Sequence, residues 1–154
     1  MTPSPWSGAD VQDVFIETPA GQRMYATPDG PKPYITRTER IAIKGRPDEV
    51  LTVRETRHGP VISDIINPSG PIMAVSMMNL MEGDRSADGL AALNRARNVA
   101  EARAAAAGIN GIVQNLMVAD RESIGLFVTG RIPIRKAGDG SAPAPGADGS
   151  HDWT

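Results

Sequence analysis

The sequence contains no cysteine, few aromatic residues and no large excess of either charge sign. The lack of cysteine excludes a disulfide framework, a zinc–thiolate site and a cysteine nucleophile. Sixteen basic against eighteen acidic residues give a net charge of −2, so the chain lacks the basic field that binds nucleic acid. No apolar run approaches the roughly 20 residues that span a bilayer, and residues 1–6 have no basic region followed by an apolar one, so we expect no secretory signal there. We therefore expect no nucleic-acid partner and no membrane partner.

Glycine and proline are abundant instead, with 16 and 13 residues in a chain of 154. A length of this size is typical of one domain, and 40% hydrophobic residues are enough for a buried core. With aromatic residues at only 4%, we expect a core of aliphatic side chains and methionine. The composition therefore predicts many turns and short strands.

Apolar residues alternate with a period of two in some segments and form short continuous runs in others, and both patterns predict strands. The strands are predicted at residues 11–17, 35–44, 49–56, 61–66, 72–78, 114–119 and 125–129. The strand over 35–44 is expected to enter the core near its end, at Ile41 and Ile43. Asp29-Gly30 predicts a turn between Tyr25 and Tyr34.

Helix formers are concentrated in residues 86–108, where Asn98 and Glu101 have the spacing of a capping box. This spacing predicts two short helices that meet near Arg97 and end at Gly108. Residues 1–7 are predicted to be an irregular start, residues 8–136 the folded segment, and residues 137–154 a Gly/Pro-rich loop tail. The order of strands, helix pair and strands predicts an α+β fold, rich in antiparallel sheet.

Few residues have a spacing that indicates chemistry. Asp10 and Asp13 flank Gln12 at the start of a predicted strand, and such a pair either binds calcium or faces solvent. His58 lies between two predicted strands without a serine, cysteine or aspartate at a supporting spacing, so a turn or surface position is expected. His151 lies in the loop tail. Spacing alone therefore predicts a soluble α+β segment without a defined activity.

Five stretches together resemble the penicillin amidase (penicillin acylase) family, in the order and spacing of the middle of its catalytic β-chain. They are GADVQDVFIE (residues 8–17), VRETRHGPVISD (residues 53–64), NRARNVAEA (residues 94–102), QNLMVADRESIG (residues 114–125) and TGRIPIRKAGDGSAPAPGADGSHDWT (residues 129–154).

The resemblance implies an N-terminal-nucleophile hydrolase with an αββα sandwich, of which this chain would be a partial β-chain segment. Family members cleave the linear amide of penicillins, cephalosporins or N-acyl-homoserine lactones through an N-terminal serine and an oxyanion hole. The expected partners are the remaining parts of the amidase α- and β-chains and, in the intact enzyme, a small-molecule amide. Many members are periplasmic or secreted, but the compartment of this chain stays open.

The resemblance also implies structural calcium, with an incomplete ligand set in this chain. Asp10 and Asp13 match the family's calcium carboxylates, and the carbonyl of Gln12 lies between them. Gly140 is the nearest match to a further carbonyl ligand. The remaining ligands would lie outside this chain.

The family's nucleophile precedes the region matched here, and its oxyanion asparagine follows the Asp-Trp-Thr segment at residues 152–154. We therefore expect no catalytic residue in this chain, and no amide hydrolysis by the chain alone. The alternative is a non-catalytic interaction module, or a degenerate fragment that retains only the scaffold.

Overall fold

The computed structural model describes residues 11–154, which contain ten short strands and three short helices. The strands are β1 (Gln12–Glu17), β2 (Met24–Tyr25), β3 (Lys32–Pro33), β4 (Ile35–Ile41), β5 (Glu49–Thr56), β6 (Gly59–Pro60), β7 (Ile72–Met77), β8 (Gln114–Ala119), β9 (Ile124–Thr129) and β10 (Ala144–Pro145). The helices are α1 (Ser63–Ile66), α2 (Ser86–Leu93) and α3 (Val99–Ala106), and Met78–Leu80 forms a 3₁₀ turn. The α+β prediction is confirmed. None of the helices in the described residues is long and apolar enough to cross a membrane.

The described residues divide into two compact units. The larger unit consists of Gln12–Ser76 and Ile134–Thr154, and the smaller one of Val11 and Met77–Pro133. The larger unit therefore joins two segments that are distant in the sequence.

Strand β1 organises the larger unit, because it lies between β10 and β7 in a three-stranded sheet. Strand β10 runs parallel to β1, and Phe15 pairs with Ala144. Residues 137–154 are therefore tied to the start of the chain, although most of them are loop. Alternate side chains of β1 are buried, namely Asp13, Phe15 and Glu17. One face of β1 thus carries two buried carboxyl groups on either side of an aromatic ring.

Strands β4 and β5 form the predicted hairpin, with a register that runs from Ile35 opposite Glu55 to Ile41 opposite Glu49. The expectation that β4 enters the core near its end is wrong, because Ile41 is 48% exposed. The buried residue is Tyr34, immediately before the strand, which packs with Tyr25. Strand β4 itself is exposed along its whole length, and the buried contact is made by Tyr34, which packs against Tyr25 of the β2–β3 hairpin.

The strand predicted over residues 61–66 is also wrong, because only Val61 pairs as a strand, with Ala74. Ser63–Ile66 forms one helical turn instead. This turn places Asp64 against Arg54, which donates two hydrogen bonds of 2.7 and 2.5 Å to the carboxylate. A tertiary ion pair therefore overrides the strand preference of the isoleucines.

The smaller unit confirms the helix pair and the hairpin of β8 and β9. Asn98 is the N-cap of α3, and its Oδ1 accepts a hydrogen bond from the backbone N–H of Glu101 at 2.8 Å. The Glu101 carboxylate in turn accepts from the backbone N–H of Arg97 at 2.8 Å. Local side-chain hydrogen bonds therefore explain why the helix begins where the sequence indicates.

Gly59 offers a test of the packing between β6 and β7. Its φ is +116°, and a Cβ atom there would overlap the carbonyl oxygen of Val75. Gly30 has a similar φ of +103° but has open space around it. We expect Gly30→Ala to lower the free energy of unfolding by about 1 kcal/mol through backbone strain, and Gly59→Ala by about 2–4 kcal/mol because overlap is added. Equal losses in urea unfolding of the two variants would contradict the close approach.

Candidate functional site

Asp13 is the predicted metal ligand that the structure places in a buried position. It lies on β1 and is only 5% exposed, whereas Gln12 on the same strand is exposed. Asp10 lies outside the described residues. The described part of the predicted ligand set therefore offers one buried carboxylate.

Two donors hold the Asp13 carboxylate. Arg135 donates from Nε to Oδ2 at 2.7 Å and from Nη2 to Oδ1 at 2.8 Å, and Trp153 donates from Nε1 to Oδ2 at 2.5 Å. Burial by itself raises the pKa of Asp13, but the hydrogen bonds from Arg135 and Trp153 outweigh it and hold the pKa below its ordinary value. Asp13 is therefore an ionised carboxylate that is already neutralised by a guanidinium.

Residues 137–145, a loop that continues into β10, lie beside this ion pair. With Asp13, Arg135 and His151, they line a cavity of about 190 Å³. Gly140 has a φ of +77°, and a Cβ atom there would overlap both the Asp13 carboxylate and the Arg135 guanidinium. The structure thus brings Gly140 beside Asp13, and the close approach requires glycine at this position.

The side chains around Asp13 do not by themselves form a calcium site. Calcium takes six to eight oxygen ligands, whereas Arg135 and Trp153 contact Asp13 through nitrogen atoms. Within residues 11–154, no group of three or more acidic, histidine or cysteine side chains could hold a metal ion. The guanidinium on Asp13 also repels a divalent cation. Calcium binding through Asp10, Gln12 and Asp13 stays a prediction that depends on ligands beyond the described residues. A melting temperature that rises more with calcium than with magnesium would support it, and equal effects would contradict it.

A second polar cluster lies on the same face of β1 and contains Glu17, whose side chain is fully buried. Glu17 Oε1 accepts a hydrogen bond from Thr56 Oγ1 at 2.7 Å and lies 2.8 Å from Nδ1 of His58. Among residues 11–154, Glu17 Oε2 has no hydrogen-bond partner. The ring of Phe15 stacks on the imidazole, with 3.8 Å between centroids and 5° between planes.

Asp152 closes this cluster from the other side of His58. Its Oδ1 lies 3.1 Å from His58 Nε2, and its Oδ2 accepts a hydrogen bond from Arg57 at 2.6 Å. The hydrogen bond from Arg57 is the main cause that lowers the pKa of Asp152 to about 2, against an opposing effect of burial and with a smaller contribution from His58. We call Glu17, His58 and Asp152 the carboxylate–histidine cluster.

The buried position of His58 corrects the surface role expected from the sequence. The residue does lie in a turn, between β5 and β6, but it is only 7% exposed. The reason is tertiary: β1 supplies both the stacking ring and the Glu17 carboxylate, and the chain reaches Asp152 after 94 further residues. The alternating pattern of β1, which places two acids on its buried face, is the one sequence signal for this cluster.

A family model described as penicillin amidase matches residues 6–154. The chain belongs to the penicillin amidase family. The family resemblance of the sequence is thereby confirmed.

Individual relatives agree with this assignment to the penicillin amidase family. The chain is 36% identical over 150 residues to the acyl-homoserine lactone acylase QuiP of Pseudomonas fluorescens strain Pf-5, covering 94% of this chain and 18% of that protein. It is 34% identical over 147 residues to the penicillin acylase 2 proenzyme of Pseudomonas sp. strain SE83, covering 94% and 19%. The solved structure of a thermostable penicillin G acylase from Alcaligenes faecalis matches with a TM-score of 0.76 at 28% identity, over 94% of this chain and 26% of that one. This structural match confirms the predicted fold.

The chain spans about a fifth of the length of these curated penicillin-amidase relatives. Both polar clusters described above lie within residues 6–154, which the family model matches. In this member of the family, the ion pair of Asp13 and the carboxylate–histidine cluster anchor Trp153 and Asp152, two consecutive residues, to one face of β1.

Because the pKa of Asp152 is low in the folded chain, the free energy of unfolding depends on pH in the acid range. Because the folded chain binds this proton less tightly than the unfolded chain, the contribution is complete above the ordinary value of 3.8 and is lost as the pH falls through about 2. The difference between these two pKa values corresponds to about 2 kcal/mol of stability. Solvent screens this contribution little, because the Asp152 side chain is only 17% exposed. We expect Asp152→Asn to flatten the decline of the free energy of unfolding between about pH 5 and pH 2, measured by urea unfolding. An unchanged decline would contradict the geometry.

Proposed function

We propose that this chain forms part of the scaffold of a penicillin-amidase-type hydrolase that cleaves a linear amide in a small molecule. Family membership over residues 6–154 supports amide hydrolysis as the activity of the whole enzyme. The relatives are named as acylases of acyl-homoserine lactones and of penicillins. The proposed substrates are therefore N-acyl-homoserine lactones, penicillins or cephalosporins, with the remaining α- and β-chain parts as partners.

The observation that carries the scaffold role is the bare face of the β8–β9 hairpin. Helix α3 packs against one face of the hairpin, near Gly125. The opposite face presents four apolar side chains that are 63–76% exposed, namely Met117, Ile124, Leu126 and Val128. The cross-strand pairing of Met117 with Leu126 places them side by side on that face. A contiguous apolar surface of this kind is typical of an interface with another part of a protein.

The scaffold role predicts that chemistry requires more than this chain. Within the described residues, both ring nitrogens of His58 face carboxylates, so this imidazole has no free nitrogen to act as a base. Asp13 is likewise bound to Arg135 and Trp153. We propose that the buried polar groups described here hold loops in place and that the reacting groups lie in the remaining parts of the enzyme.

The test uses the chain in two forms. The 154-residue chain alone is assayed for release of free amine from an N-acyl-homoserine lactone and from a penicillin. In parallel, residues 6–154 replace the matching segment of the acyl-homoserine lactone acylase of Pseudomonas fluorescens. We expect no turnover by the chain alone and retained hydrolysis by the chimera.

A matched pair of variants in the chimera tests the bare face. Leu126→Asp places a charge in the proposed interface and is expected to abolish assembly and turnover. Glu122→Gln, in the turn between β8 and β9, is expected to leave both intact. Turnover by the chain alone, or a Leu126→Asp chimera as active as its parent, would overturn the scaffold role. An inactive chimera that folds normally would instead favour the interaction-module alternative.

A further inference from the structure

The carboxylate–histidine cluster places one imidazole between two carboxyl groups. His58 Nδ1 lies 2.8 Å from Glu17 Oε1, and His58 Nε2 lies 3.1 Å from Asp152 Oδ1. Both distances are hydrogen-bond distances. A neutral imidazole carries one N–H and could donate to only one of these oxygens, so at the other contact an ionised carboxylate would leave two acceptors facing each other.

The roles of the neighbouring donors decide where the protons lie. The Thr56 hydroxyl accepts a hydrogen bond from the backbone N–H of His58 at 3.1 Å, so its own proton points to Glu17 Oε1. Glu17 Oε1 thus accepts the hydrogen bond from the Thr56 hydroxyl and also lies opposite His58 Nδ1. The oxygen of an ionised carboxylate has two lone pairs and can accept both hydrogen bonds. On the other side, Asp152 is ionised because Arg57 donates to it and lowers its pKa to about 2.

We infer that His58 is a buried imidazolium that donates one proton to Glu17 and the other to Asp152, and thereby acts as a positioning residue for the segment around Asp152. The charges support this arrangement. The imidazolium and Arg57 balance the two carboxylates. Among the described residues, Lys136, 3.7 Å from Asp152 at the exposed rim, is the remaining charged group that the ion pairs of this cluster include. Phe15 covers the face of the ring, which keeps water from the charge.

The consequence is that one cation joins three segments of the chain. Glu17 belongs to β1, His58 to the turn after β5, and Asp152 to the segment that follows β10. Arg57 adds a second link, because its Nη2 donates to the carbonyl oxygen of Gly146 at 2.7 Å. A Cβ atom at Gly146 would lie 2.6 Å from Glu17 Oε2, so a larger residue there would displace the Glu17 carboxyl group. The parallel pairing of β10 with β1 therefore depends on this ion cluster as well as on backbone hydrogen bonds.

The direct test is nuclear magnetic resonance of the ring nitrogens in the full chain. The sequence contains two histidines, so a His151→Gln variant assigns the signals of His58. At pH 7, where an unperturbed imidazole is mostly neutral, we expect directly attached protons on both ring nitrogens of His58. A single protonated nitrogen, or a proton on the Glu17 carboxyl in its place, would overturn the inference.

A double-mutant cycle gives a second readout that a purely steric role would not produce. With a buried imidazolium, Glu17→Gln lowers the melting temperature of the parent chain but raises that of His58→Gln, because the second substitution then removes an unpaired charge. We expect His58→Gln alone to lower the melting temperature by about 6–20 °C. Glu39→Gln, at an exposed carboxylate on β4, is the control and leaves it unchanged. Additive effects of the Glu17 and His58 substitutions would contradict the charge assignment.

Discussion

Replacing Arg135 with alanine is expected to lower the free energy of unfolding by about 3–5 kcal/mol, because it leaves the ionised carboxylate of Asp13 buried with Trp153 as its remaining described donor. Asp13 is 5% exposed, so water cannot replace the lost guanidinium at little cost. Arg135→Lys keeps the charge but loses the two parallel hydrogen bonds, and we expect an intermediate loss. The measurement is urea unfolding followed by circular dichroism.

Two further variants make this result specific to the ion pair. Arg131→Ala removes an exposed arginine from the same stretch of chain and is expected to change the free energy of unfolding by less than about 0.5 kcal/mol. Asp13→Asn combined with Arg135→Met removes both charges and is expected to recover part of the loss. If Arg135→Ala and Arg131→Ala had equal effects, the described contact would not contribute to stability.

Phe15→Ala is expected to cost about 3–5 kcal/mol, since Phe15 is 1% exposed and the described residues contain no larger side chain that is fully buried. The substitution creates a cavity and also uncovers the ring of His58, which stacks on Phe15 at 3.8 Å. Because the imidazole lies between Glu17 and Asp152, water that enters the cavity also weakens these two contacts.

Ile16→Ala is the matched control on the same strand. Ile16 points to the opposite face of β1 and is 39% exposed, so we expect a loss below about 1.5 kcal/mol. Thermal unfolding of both variants, together with the ring-nitrogen spectrum of His58, separates loss of packing from loss of the hydrogen bonds. A Phe15→Ala variant as stable as Ile16→Ala would show that the core of the larger unit lies elsewhere.

Local signals in the sequence predicted many elements of this fold correctly. The Asn98–Glu101 capping box, the Asp29-Gly30 turn and the alternating pattern of residues 49–56 each act over a few residues, and the structure shows the element that each of them predicts. The incorrect strand over residues 61–66 failed because an ion pair between Asp64 and Arg54 is invisible to a pattern of apolar residues. The prediction that β4 enters the core failed for a related reason, since alternation indicates a strand but not which of its residues other elements cover.

By itself, the sequence determined the family, the α+β class and the order of the longer strands and the helix pair, because these depend on local periodicity and on motifs within the chain. Only the tertiary structure decided that Asp13 is bound to Arg135, 122 residues away, and that His58 is buried between Glu17 and Asp152. The pairing of β10 with β1 brings these groups together, and no local pattern specifies a contact over such a separation. The chemistry of a buried charge depends on its neighbours in space, and those neighbours come from three distant parts of this chain.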